Sequence, residues 1–275
     1  MQKARIAVVG DVHHGPPIAT KRSEQAVSLL EGAVRAIEAE KPDLVLDMGD
    51  RINDMDPQTD RRLLREVADV FRGLSAPRIH LLGNHDMCFM DRAANEQALE
   101  TGVANHVRDL GSWRLVVFQP TVEIRRPGGF APIDQADLDW LAATLSASEQ
   151  PAMIVSHVPV SGHPMTSNYY FDGRHEFSTY PNRDAVLKLL DETVAPVAWL
   201  SGHVHWNSFI RIAGVPHITM QSLSESFTTG GGEAAGTWGT LTLSGDGIEL
   251  SLRGNDPFEL RLPIPRHGPK RWPMR

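Results

Sequence analysis

The chain has 275 residues, 41% hydrophobic and 22% charged, an ordinary soluble-globular composition with ample length to bury a core in one large or two small domains. No apolar run nears the roughly 18 residues of a membrane span, and the N-terminus lacks the apolar segment of a signal peptide. The net charge of −7 argues against a nucleic-acid binder, which carries a basic face, and the single cysteine, Cys88, excludes an intrachain disulfide and makes a reducing cytoplasm the expected compartment.

Ile6–Val9 reads as a first buried strand and Ser23–Glu40 as an amphipathic helix, with Ser23 as N-cap and Ala26, Leu29, Leu30, Ala33, Val34 and Ile37 at helical spacing. Pro42 stops that helix, and Leu44–Met48 is the second strand. Thr59–Phe71 is a helix, and Pro77 leads into a third strand, Ile79–Leu82. Asp91–Glu100 reads as a short helix, Trp113–Phe118 as a strand, Ile133–Leu145 as a helix and Met153–Val155 as a strand. Residues 159–181 carry no periodicity; helix resumes at Asn182–Asp191, and Val197–Leu200 is one more strand. The pattern then becomes all-β, with strands at Phe209–Ile212, His217–Met220, Thr240–Leu243, Ile248–Leu252 and Phe258–Leu262. Strand–helix alternation followed by consecutive strands predicts a layered α/β sandwich, one domain over 1–262 with 263–275 as a Pro-rich basic tail. Function is expected beyond the carboxyl ends of the strands.

Five apolar runs end in polar clusters at those places. Ile6–Val9 precedes Asp11-Val12-His13, Leu44–Met48 precedes Gly49-Asp50, and Ile79–Leu82 precedes Gly83-Asn84-His85-Asp86. Met153–Val155 precedes Ser156-His157, and Val197–Leu200 precedes Gly202-His203-Val204-His205. One such turn is a weak signal, because Gly, Asn and Asp build turns anyway; five together form a metal-site inventory. Side chains two apart share a side of an extended segment, so Asp11 and His13 can grip one ion, as can His203 and His205. A carboxylate bridges two cations better than a neutral ligand does, which makes Asp50 the natural bridge. Asn84 adds an amide oxygen and His157 an imidazole. With no thiolate, the set suits Mn, Fe or Zn. Two such ions roughly 3.5–4 Å apart clamp the oxygens of an in-line phosphoryl displacement and acidify a bridging water. His85, beside a ligand but not needed for coordination, can act as general acid.

The ordered set D-x-H, G-D, G-N-H-D, H, G-H-x-H resembles the calcineurin-like metallophosphoesterase superfamily, over Asp11 to His205. The resemblance implies a four-layer αββα sandwich with mixed sheets and a dinuclear metal centre. It implies that Asp11, His13, Asp50 and His205 hold one metal, and Asp50, Asn84, His157 and His203 the other. It also implies that His85 contacts the phosphate and assists the leaving oxygen, with Asp86 orienting its ring, while a metal-bridging hydroxide attacks phosphorus. The histidines and compact length are most similar to the bacterial cyclic-nucleotide and glycerophosphodiester phosphodiesterase group. The stretch Gly214 to Glu225 more loosely resembles the manganese-dependent ADP-ribose/CDP-alcohol pyrophosphatases. Protein phosphatases carry Asp-Arg where this chain has Asn53-Asp54, so their phosphate-binding arginine is absent, and the phosphodiesterase group's Asp after G-N-H-D is Met87 here.

The expected activity is hydrolysis of a small phosphodiester. A nucleoside-diphosphate-linked pyrophosphatase or a phosphomonoesterase is the alternative, and a nuclease or a non-catalytic scaffold a remote one. The expected partner is a small-molecule phosphoester, with no membrane or nucleic acid; a homo-oligomer is compatible with the chain. The long segment 159–181 starts two residues after His157 and is expected to cap the site, with Tyr169, Tyr170 and Arg174 as substrate contacts. His14, His80, His106, His163, His175 and His217 read as loop, core or exposed residues, Met87, Phe89 and Met90 as packing beneath the site, and Cys88 as a small buried filler.

Overall fold

The computed structural model describes residues 3–265. Of the stretch 263–275 expected as a basic tail, Pro263 ends the last strand, and residues from 266 onward lie outside the described residues. In chain order the protein forms β1 (Ala4–Val9), α1 (Ala26–Glu40), β2 (Leu44–Asp47), α2 (Pro57–Phe71), β3 (Arg78–His80) and α3 (Arg92–Leu99). Next come β4 (His106–Leu110), β5 (Trp113–Val117), the short hairpin β6 (Ile124–Arg125) and β7 (Gly129–Phe130), α4 (Gln135–Ser146) and β8 (Ala152–Ser156). The rest comprises α5 (Arg183–Glu192), β9 (Val197–Ser201), β10 (Ser208–Ile212), β11 (Val215–Thr219), β12 (Trp238–Ser244), β13 (Gly247–Arg253) and β14 (Phe258–Pro263).

Two six-stranded sheets run in the orders β14-β13-β12-β1-β2-β3 and β10-β11-β9-β8-β5-β4. Strands β1, β2 and β3 are parallel, as are β5, β8, β9 and β11. The period-two alternation of strand side chains produces the layers. Ile6 and Val8 of β1, with Leu44 and Leu46 of β2, pack inward against Leu115, Met153 and Leu200 of the second sheet. Their neighbours Ala7, Val9 and Val45 face outward onto Leu30 and Ile37 of α1 and Phe71 of α2. On the far side, Val116, Ile154 and Trp199 pack against Leu138 and Leu141 of α4 and Val186 of α5. The result is the four-layer αββα sandwich expected from the sequence.

The helix starts differ where side chains offered better caps. Asp56 opens α2 by accepting the N–H groups of Gln58 (2.9 Å) and Thr59 (3.0 Å), with Pro57 in the first turn. Ser23 does not cap α1: residues 23–25 form a 3₁₀ turn, and the Ser23 hydroxyl accepts from Asn53 Nδ2 at 2.7 Å. The unforeseen β4 is an outermost strand alternating between half-buried and exposed residues, so its sequence carries little apolar signal. No helix among the described residues is long and apolar enough to cross a membrane.

Candidate metal centre

The carboxyl ends of β1, β2, β3, β8 and β9 meet at one edge of the sandwich. His157 Nδ1 donates to the Met48 carbonyl at 2.8 Å, and the His203 N–H donates to the Asp11 carboxylate at 3.1 Å, so the two sheets are sewn together there. The segments that carry Asp11, His13, His203 and His205 are not extended, contrary to expectation. Asp11, His13, Asp50, His203 and His205 all have positive φ, between 49° and 68°. They are half of the ten non-glycine residues in that state among the described residues, and each costs on the order of 1–3 kcal/mol. Left-handed kinks, rather than strand pleat, turn these side chains to one side. The glycines before them give clearance: a Cβ at Gly202 would stand 2.5 Å from Asp11 Oδ2, and one at Gly83 would overlap the Asp50 carboxylate.

Donor atoms of Asp11, His13, Asp50 and His205 lie within 4.8 Å of one another, and so do those of Asp50, His157 and His203. Asp50 belongs to both groups. His13 Nε2 is 2.9 Å from His205 Nε2 and 3.7 Å from Asp50 Oδ2, and His157 Nε2 is 3.3 Å from Asp50 Oδ2. The other ring nitrogens are tied down. His157 Nδ1 donates to Met48 O, His203 Nε2 to Phe177 O (2.8 Å), and His205 Nδ1 to Glu225 Oε2 (2.9 Å). Each ring therefore keeps its free nitrogen turned toward the cluster. Asn84 Oδ1, His157 Nε2 and His203 Nδ1 are buried without a hydrogen-bond partner. Buried polar atoms left without a hydrogen bond are rare and destabilising unless something binds them. Imidazole nitrogens with carboxylate and amide oxygens fit a divalent transition metal.

Electrostatics agree with that fit. Burial disfavours every imidazolium here and holds His13 well below its usual range and His203 at about 3. At His157 burial acts in the same direction, but the Asp50 carboxylate outweighs it and raises the ring to about 9. At His205, Asp11 and Glu225 likewise outweigh burial and raise the ring. The carboxylates thus draw positive charge to two points, one in each group.

His85 is part-exposed, unlike the buried rings around it, and lies edge-on to His13 with ring centroids 4.9 Å apart. Its Nδ1 is hydrogen-bonded to Asp54, not to Asp86 as the resemblance implied. Asp86 is fully buried and committed elsewhere. It accepts the N–H groups of Asp50, Arg51 and Gly83, each at 2.9 Å, and pairs with Arg51 Nη1 at 2.8 Å. Arg51 also pairs with Asp47 (2.6 Å), which accepts from His80 Nδ1 at 2.8 Å. Asp86 therefore braces the turns, and Asp54 orients the His85 ring.

In the segment 159–181, Tyr170 is half-buried, and its hydroxyl is bonded to Thr20 Oγ1 (2.9 Å) and Glu225 Oε2 (3.0 Å). Its ring stands 5.4 Å from that of His205. Tyr169 is exposed and stacked on Phe227, and Arg174 is exposed. Phe89 and Cys88 are exposed too, correcting the reading of Phe89 as packing beneath the site and of Cys88 as a small buried filler. His14 turns away from the cluster to Glu66 (2.6 Å), and His163 is bonded to Ser161 and Ser208. The sequence reading missed Glu225, Asp54 and Lys21. Lys21 is buried, with Nζ 3.4 Å from His13 Nδ1, and burial lowers its pKa. Glu225 closes the stretch singled out by its pyrophosphatase-like sequence, but a lone Glu gives no sign that it braces a histidine twenty residues earlier.

The model of the family described as calcineurin-like phosphoesterase matches residues 4–207. No curated protein sequence matches the chain. Among solved structures it is similar to a dimetal phosphatase from Danio rerio, at 17% identity and a TM-score of 0.73, covering 93% of this chain and 98% of that one. It is also similar to GAP50, the anchor in the inner membrane complex of Plasmodium, at 15% identity and a TM-score of 0.63, covering 97% and 90%. A purple acid phosphatase from yellow lupin (Lupinus luteus) matches at 14% identity and a TM-score of 0.61, covering 94% of this chain and 53% of that one. At these identities the likeness is one of fold. A phosphatase and an anchor share it, so the choice of chemistry rests on the residues at the strand ends.

Proposed function

Because the chain belongs to the calcineurin-like phosphoesterase family and is a metal-dependent phosphoric ester hydrolase, we propose that it hydrolyses a small phosphodiester at the Asp50-centred cluster. The observation that carries the assignment is the convergence on Asp50 of two donor groups, together with the orphaned Asn84 Oδ1, His157 Nε2 and His203 Nδ1. In this reading Asp11, His13, Asp50 and His205 hold one divalent ion, and Asp50, Asn84, His157 and His203 the other. When bound, the ions supply electrophilic charge for the phosphoryl oxygens and a nucleophile at neutral pH; Mn, Fe and Zn all suit the donors.

The chain's own residues do the rest. His85, the ring of this group open to substrate, gives a proton to the leaving oxygen from Nε2 while Asp54 holds Nδ1. Asp86 and Arg51 fix the turns that present Asp50 and His85. The diester preference is supported by charge. Arg51 is buried between Asp47 and Asp86 and cannot meet substrate, which leaves Lys21 as the cation beside His13. A diester monoanion asks less positive charge of the protein than a monoester dianion. Segment 159–181 is the proposed cap, its backbone joined to the cluster through Phe177 O and its side chains through Tyr170. Within it, Tyr169 and Arg174 are the proposed substrate contacts, and Tyr170 lends its ring while its hydroxyl braces Glu225.

The test is a panel of aryl phosphodiesters, cyclic nucleotides, ADP-ribose and phosphomonoesters assayed with Mn²⁺. Highest kcat/KM on a diester supports the reading; a preference for ADP-ribose or monoesters overturns the substrate class. His85→Ala should lower kcat by roughly 10²–10⁴-fold with both ions retained, and less for esters with very good leaving groups. Parallel loss of metal would remove His85 from this role.

A further inference from the structure

Seven large hydrophobic residues are exposed among the described residues, and four of them, Ile18, Met55, Phe89 and Tyr169, lie on the loops that carry the site. The other three are remote by position: Val107 and Phe209 are on the outermost strands β4 and β10, and Val194 precedes the amino end of β9. The four fall into two groups. Met55 directly follows Asp54, whose carboxylate is bonded to His85 Nδ1, and Phe89 lies four residues after His85 on the same turn, so the two loops that carry these exposed side chains meet at the Asp54–His85 bond. On the other flank, Tyr169 stacks on Phe227 at 6.3 Å and adjoins Tyr170, whose hydroxyl is bonded to Thr20 on the turn that begins at Ile18. Tyr170 in turn faces His205. His13 lies between, 4.9 Å from the His85 ring and 4.7 Å from that of His205. An acidic, histidine-lined floor thus has a loop bearing exposed apolar residues on each of two sides, its two lips.

Exposed apolar side chains grouped around a polar site mark a ligand groove. A phosphodiester has two organic substituents on opposite sides of one phosphorus, and two lips flanking one reaction centre match that shape. We infer that the two lips bind the organic groups of the substrate, and that the enzyme selects phosphodiesters with apolar alkyl or aryl substituents over those of glycerol or sugars. This rests on the phosphodiester reading above. None of the four residues is a metal-donor candidate, so substituting them leaves the proposed ligand set in place.

The test is a ladder of p-nitrophenyl n-alkyl phosphodiesters, methyl to hexyl, with the Mn²⁺-loaded full chain. The leaving group is constant, so chain length changes only the contact with the lips. The inference expects kcat/KM to rise roughly two- to fourfold per methylene over the first few steps, the worth of burying a CH₂. Met55→Gln with Phe89→Ser, and separately Ile18→Ser with Tyr169→Ser, should each reduce the hexyl-to-methyl ratio at least fivefold. All four positions are exposed, and unchanged melting curves will show that the variants fold. A flat ladder on an active enzyme overturns the inference and leaves the diester reading standing. A ladder that rises but ignores both double substitutions also overturns it, as does loss of phosphatidylcholine-vesicle binding on substitution with the ladder intact, which would make the lips a membrane foot. If no diester is cleaved while monoesters are, the underlying reading and this inference fall together.

Discussion

Glu225 holds the His205 ring by one carboxylate oxygen, which also accepts from the Tyr170 hydroxyl, while the other oxygen accepts the N–H of Ser226 at 2.7 Å. Burial alone would raise this carboxyl, but its bond to His205 outweighs burial and holds it at about 2, so it is ionised throughout the working range. An ionised partner on Nδ1 fixes the tautomer that leaves Nε2 free and makes that nitrogen more basic. Glu225→Gln should therefore weaken metal binding about 10–100-fold, and the loss should fall on the ion held with His205. Titration with Mn²⁺ monitored by calorimetry checks this, and two unaltered binding steps would remove Glu225 from that role. Asp54 acts similarly on His85 but away from the donors. Asp54→Asn should lower kcat with metal content unchanged, and by more for esters with poor leaving groups than for those with very good ones, a split that a merely structural aspartate would not produce.

At the scale of elements, five strand ends put their residues in one place because β1, β2 and β3 run parallel in one sheet and β8 and β9 in the other, with the two sheets joined at those ends. This much was legible in the sequence, because buried parallel strands are continuous apolar runs and the donor residues follow them directly. What supports the turns was not legible. Arg51 sits one residue past Asp50 and looks like a substrate-binding arginine, yet it is fully buried between Asp47 and Asp86 and bonded to the Leu81 carbonyl. Those partners lie four, thirty-five and thirty residues away, and no local pattern announces such contacts. The left-handed kinks at Asp11, His13, His203 and His205 were misread as extended for a related reason: they are set by the backbone bonds of adjoining turns, such as Asp11 N–H to Gly49 O at 2.9 Å. Arg51→Met should destabilise the protein by about 3–5 kcal/mol, because it leaves two buried carboxylates without their cation. Burial alone would raise Asp47, but Arg51 and His80 outweigh it and lower its pKa. Its share of stability is therefore present above the unfolded carboxyl range and lost as pH falls through the lowered value. The gap between wild type and Arg51→Met in urea unfolding should accordingly shrink below about pH 4.

For the whole molecule, the same carboxylates that await cations must be balanced when none is bound, and protons are the alternative. Asp50 raises His157 to about 9, so in the metal-free protein that ring is protonated at neutral pH. A group whose pKa is raised by folding contributes stability that is complete below its unfolded value, near 6.5, and is lost as pH rises through its folded value. The chelated protein should lose this contribution between about pH 6.5 and 9. A divalent ion on His157 must displace the same proton, so metal affinity rises across the same window. Both effects act in one direction on the difference between loaded and chelated protein. The increase in melting temperature on adding Mn²⁺ at fixed concentration should grow from pH 6.5 to 8.5, following RT ln(1 + [L]/Kd) as Kd falls. Calorimetric titration in buffers of different ionisation enthalpy should register proton release with binding at pH 7, and elemental analysis should saturate at two ions per chain. Saturation at one ion would remove the dinuclear centre. A melting shift independent of pH, with no proton released, would mean that the metal does not bind at His157, and the Asp50-bridged arrangement would have to be abandoned.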